Sequence, residues 1–85
     1  MRAASERMML TRAFGEKLRH LRVAAGLSRA QLASKCRISP STVSKTELGH
    51  SEPRLSLILI LCDGLDLRPE RLLGELPIPQ ERKRA

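Results

Sequence analysis

Apolar residues recur at three- and four-residue spacing along most of the chain. Phe14, Leu18, Leu21 and Ala25 form one such line while Glu16, Lys17, Arg19 and His20 fall elsewhere around the same turns, which predicts an amphipathic helix. Gly26 ends it as a C-terminal cap, and the residues before about Thr11 extend it or fray. A second helix is expected after Ser28, an N-cap that stands three residues before Gln31 in capping-box spacing; Leu32, Ala33 and Cys36 supply its inner face, and it stops near Arg37. Ser39 caps a third helix with Pro40 in its first turn, where a missing N–H costs nothing, and Val43 and Glu47 point inward before Gly49 ends it. A fourth helix starts near Pro53 and runs through LSLILILCDGL, with Leu55, Ile58, Leu61, Cys62 and Leu65 as the buried stripe and Leu57, Leu59 and Ile60 outside it. Pro69 opens a short fifth helix whose Leu72 and Leu73 close the core, and PIPQERKRA, rich in proline and charge, is expected to be disordered. Sustained period-2 alternation is missing, as are Asn-Gly and Asp-Gly turns between apolar runs, so the expected class is all-α.

The stretch LSRAQLASKCRISPSTVSKTELG, from Leu27 to Gly49, thus forms two short helices joined by a tight turn, a helix-turn-helix. Its second helix presents small hydroxyl residues and Lys45, chemistry suited to lying against a nucleic acid groove. Charge agrees: 16 Lys+Arg against 9 Asp+Glu leave a net +7, which draws polyanions, either nucleic acid or an anionic membrane. No apolar run is long enough to span a bilayer, and MRAASERMMLTR lacks the apolar core and cleavage site of a signal peptide, so a cytoplasmic location is expected. Phe14 is the single aromatic residue, which leaves base stacking little to work with and favours duplex DNA over RNA. Eighty-five residues suffice for one small domain. Cys36 and Cys62 both fall in apolar helical patterns, and two reduced thiols are expected rather than a disulfide. His20, His50 and the cysteines show no CxxC or HxxxH spacing, Glu70 and Glu75 no paired-carboxylate arrangement, and the chain no phosphate-cradling glycine loop. Neither catalysis, a metal nor a cofactor is expected.

These residues resemble the Cro/CI-type (xre-like) helix-turn-helix family, with its five-helix λ-repressor-like fold. The likeness covers about Phe14 to Leu73: Phe14, Gly15, Leu18, Arg19 and Arg22 match the family's opening, and Gly26, Leu27 and Ser28 its first turn. Leu32-Ala33 and Ile38-Ser39 follow, then the hallmark apolar-Ser-x-x-Glu-x-Gly at Val43, Ser44, Glu47 and Gly49, and finally Pro53 and Leu72-Leu73. Two positions depart. Arg29 stands where Gln is usual, and Arg37 where Gly is usual, so that Arg37 must either accept a left-handed backbone at about 1–2 kcal/mol or reshape the turn.

The resemblance implies a DNA-binding domain over 13–74 with its helix-turn-helix motif at 28–47, preceded by an extension or helix start at 1–12 and followed by a basic tail at 75–85. Carried over by position, Pro40, Ser41, Ser44 and Lys45 face base edges, and Lys45 is the best candidate to read guanine N7/O6. Phosphate contacts fall to Ser28, Arg29, Ser39, Thr42, His50 and Arg54, and Arg22 with Glu47 forms an ion pair that sets the angle of the reading helix. A homodimer on half-sites one DNA turn apart is implied. Its interface is expected on the fourth helix, at Leu57 and Ile60 with Gly64 allowing close approach, unless Met8, Met9 and Leu10 fold back over that surface within one chain. The expected function is a transcriptional repressor on a palindromic operator. The alternative is an antitoxin or docking module of the same fold that binds a protein such as a toxin.

Overall fold

The computed structural model describes residues 2–78, with side chains from residue 6 onward; Arg82, Lys83 and Arg84 of the basic tail lie outside the described residues. Five helices follow one another: α1 (Arg2–Ala24), α2 (Arg29–Cys36), α3 (Pro40–Glu47), α4 (Leu55–Leu65) and α5 (Pro69–Leu73). Among the described residues there is no strand.

Local chemistry sets most of the boundaries. Ser28 Oγ accepts the Gln31 N–H at 3.0 Å while Gln31 Oε1 accepts the Ser28 N–H at 2.8 Å, which satisfies two orphan donors at the start of α2. Ser39 Oγ accepts the Thr42 N–H at 3.1 Å to open α3, ahead of Pro40. Between them Arg37 adopts the left-handed conformation (φ 58°, ψ 43°), and the Ile38 N–H returns to the Ala33 carbonyl at 3.0 Å. Of the two ways open to Arg37, the turn keeps its geometry and the arginine bears the strain. α4 begins at Leu55 rather than near Pro53, with Arg54 as an N-cap that lends no side-chain bond.

Phe14 and Leu18 of α1, Leu32 and Ala33 of α2, Val43 of α3, Leu61, Cys62 and Leu65 of α4 and Leu72 of α5 meet in one core. Leu21 and Ile58 pack against it half-buried, and three expected core positions are exposed. Ala25 is exposed because α1 has already ended and the chain is turning; its buried line instead runs through Thr11, Phe14, Gly15, Leu18 and Arg22. Leu55, the first residue of α4, is 69% exposed: although at about 100° per residue it lines up with buried Cys62, no residue of this helix before Leu61 is buried. Leu73 neighbours Leu72 on a single-turn helix, and only Leu72 faces inward.

Gly64 has a different use from the one expected. It is buried, and a Cβ there would overlap Cys36 Sγ and lie 3.4 Å from Leu32 Cδ1. The close approach it allows is between α4 and α2 of one chain, so it is unavailable to a second copy.

Candidate nucleic-acid interface

α3 divides cleanly into two faces. Val43, Thr46 and Glu47 are buried, whereas Pro40, Ser41, Lys45 and the capping Leu48 are exposed and Ser44 is half-buried. Three- and four-residue spacing places Ser41, Ser44, Lys45 and Leu48 on a common outer surface. Leu48, 54% exposed, was not among the expected base-facing residues. Its signal lay in the sequence as the position four after Ser44 and seven after Ser41.

The hydroxyls at the start of α3 are partly committed. Ser39 Oγ and Thr42 Oγ1 share a hydrogen bond of 2.9 Å, which uses one of their two hydroxyl protons and leaves the other for an external acceptor. Thr46, fully buried, donates to the Thr42 carbonyl at 2.8 Å. His50 and Arg54 stand exposed in the segment between α3 and α4.

Behind the outer face of α3, Glu47 is held by two arginines. Arg22 of α1 donates from Nε at 2.5 Å and from Nη2 at 3.0 Å, a bidentate pair, and its Nη1 reaches the Leu27 carbonyl at 2.8 Å. Arg29 of α2 adds a bond from Nε to Glu47 Oε1 at 3.0 Å. The Glu47 side chain is wholly buried and that of Arg29 is 41% exposed. Burial pushes the Glu47 carboxyl toward a higher pKa, but the hydrogen bonds from Arg22 and then Arg29 outweigh it and hold the group below its ordinary value. Donating to Glu47 likewise holds Arg22 above its ordinary value against its own desolvation. Arg29, expected only as a phosphate clamp, braces α3: its Nε is occupied by Glu47, and its terminal nitrogens have no partner among the described residues. Ser28 likewise serves first as the α2 cap.

The thiols take no part in this surface. Cys36 and Cys62 are unpaired and buried, and desolvation followed by a neighbouring carboxylate, Asp63 and Glu70 respectively, pushes both up in pKa. Among the described residues no group of three His, Cys, Asp or Glu side chains is placed to hold a metal, and no helix is long and apolar enough to cross a membrane.

A family model described as a helix-turn-helix domain matches residues 13–76. The chain belongs to this helix-turn-helix family. Solved structures place it among the Cro/CI-type regulators. The helix-turn-helix protein is 40% identical to the restriction-modification controller protein C.AhdI from Aeromonas hydrophila, with 74% of this chain and 94% of that one covered at a TM-score of 0.70. It is 31% identical to the clp gene regulator ClgR from C. glutamicum, with coverage of 75% and 83% and a TM-score of 0.72. The hypothetical transcription factor NHTF from Neisseria shares 30% identity, with coverage of 86% and 80% and a TM-score of 0.71. None of the curated proteins matches the chain. Fold and family together make it a DNA-binding transcription regulator.

Proposed function

We propose that this DNA-binding transcription regulator is a repressor that occupies a palindromic operator as a homodimer in the bacterial cytoplasm. The observation that carries this reading is the two-faced α3, with Ser41, Ser44 and Lys45 turned outward and Glu47 fixed from behind by arginines of two other helices. A reading helix must present its side chains at a fixed angle to the groove, and a buried ion cluster supplies that rigidity. Lys45 reads a base edge, Ser41 and Ser44 adapt to base or phosphate, and Pro40 offers apolar contact to a thymine methyl. Phosphates are held by Ser28, the terminal nitrogens of Arg29, the free hydroxyl proton of the Ser39–Thr42 pair, and His50 with Arg54. The dimer forms on the exposed side of α4. Of the expected interface residues only Ile60 lies there, beside Leu55 and Leu59, because Leu57 is half-buried against the core.

Selection of bound duplexes from a random pool, followed by fluorescence titration across salt, tests the reading. An enriched palindrome and a steep fall of affinity with salt are expected, and Lys45→Ala should relax preference at one base position by about 1–3 kcal/mol. Shallow salt dependence with no enriched palindrome would overturn it.

A further inference from the structure

We infer that Arg12 gives the protein a DNA phosphate contact outside the helix-turn-helix, on the flank of α1; this rests on the docking of α3 proposed above. α1 crosses the end of α3 so closely that a Cβ on Gly15 would overlap the carbonyl oxygens of Thr46 and Glu47. One turn earlier along α1, Arg12 lies over the residue that follows Leu48. Gly49 has φ +74°, and a Cβ added to it would stand 2.9 Å from Arg12 Cγ and 3.1 Å from Arg12 Cα. The stem of Arg12 thus packs on Gly49, the residue that stands in the chain between the capping Leu48 and the exposed His50.

The guanidinium beyond that stem is exposed and makes no ion pair or hydrogen bond among the described residues, although Glu16 follows it by one helical turn. Lys17, Arg22, Arg29 and Arg68, by contrast, are each matched to a carboxylate. An unmatched guanidinium on a fixed stem beside the end of a groove-bound helix is suited to a phosphate of the strand that borders the groove. Its planar fork of donors fits phosphate oxygens, and the packed stem has less freedom to lose on binding. Being outside the motif, this contact lengthens the footprint without adding base specificity.

The test compares wild type, Arg12→Gln and Arg12→Lys on the selected operator duplex, by salt titration and by interference from phosphate ethylation. Arg12→Gln should reduce the slope of log affinity against log salt by about 0.9 per bound copy and abolish interference at one phosphate flanking the α3 contact. Arg12→Lys should keep most of the slope, and base preference and Tm should stay at their wild-type values in both. An unchanged slope and unchanged interference in Arg12→Gln would overturn the inference while Lys45→Ala still reported base reading by α3. Wild type without salt-dependent duplex binding would remove both.

Discussion

Glu47 shows how one buried carboxylate makes three helices depend on each other. Replacing it with Gln strands the mostly buried Arg22 without its counter-charge, and the expected loss is about 3–5 kcal/mol in urea unfolding at neutral pH. The depressed pKa fixes the pH dependence. Unfolded glutamate titrates near about 4.3, so the stabilisation from Glu47 is complete above that value. It declines as the pH falls further, toward the lower pKa of the folded state, because there the unfolded chain binds the proton first. The gap in stability between wild type and Glu47→Gln should therefore narrow between neutral pH and pH values well below about 4, as checked by unfolding at both. Arg37 is the opposite case, a residue that costs stability. With φ 58° it bears a strain that glycine would not, and Arg37→Gly should raise stability by about 0.5–1 kcal/mol after allowance for the freer unfolded chain. A fall in the urea midpoint would contradict that assignment.

Helices in this protein are positioned by their closest approaches more than by their propensities. Gly15 lets α1 lie against the carbonyls that end α3, and those are backbone atoms that no rotamer change can move aside. Gly15→Ala gains helix propensity of about 1 kcal/mol yet forces the helices apart, and a net loss near about 2 kcal/mol is expected. Operator affinity should fall with it, because the same shift tilts α3; equal Tm and equal affinity in the variant would show that the contact is not needed. Gly64 plays the matching part between α4 and α2, with Cys36 filling the space where its side chain would be. The fourth helix is consequently apolar on two sides for two reasons. Leu61, Cys62 and Leu65 meet the core, while Leu55, Leu59 and Ile60 remain on the surface.

At the scale of the whole molecule, that outer side of α4 bears on assembly. A second copy packed there would bury leucines and an isoleucine that are now between 39% and 69% exposed. Sedimentation at micromolar concentration should give a dimer for wild type and a monomer for Leu59→Glu, with the helical content of the monomer unchanged. Two monomers would remove this interface from the proposed mechanism. The variant should also bind operator more weakly and without half-site cooperativity, since a single reading helix spans only a few base pairs.

What could be read from the sequence was decided by neighbours in the chain. Ser28 with Gln31, Ser39 with Pro40, and Gly49 act through bonds or torsions within a turn or two, so the order of the five helices and the helix-turn-helix were legible without coordinates. Periodicity also located Phe14, Leu18, Leu32, Val43 and Leu61 in the core. It failed at Ala25 and Leu55, which stand at helix ends beyond the packed turns, and at Leu73, whose neighbour Leu72 takes the inward place on a single turn. The same holds for function. Residue types suggested that Arg29 meets phosphate and that Gly64 meets a second copy; only the folded chain, by bringing α2 beside both α3 and α4, brought Arg29 to Glu47 and Gly64 to Cys36. Arg12 meets Gly49 for that reason too: α1 and the end of α3 are distant in sequence, and their contact exists only once the core has closed.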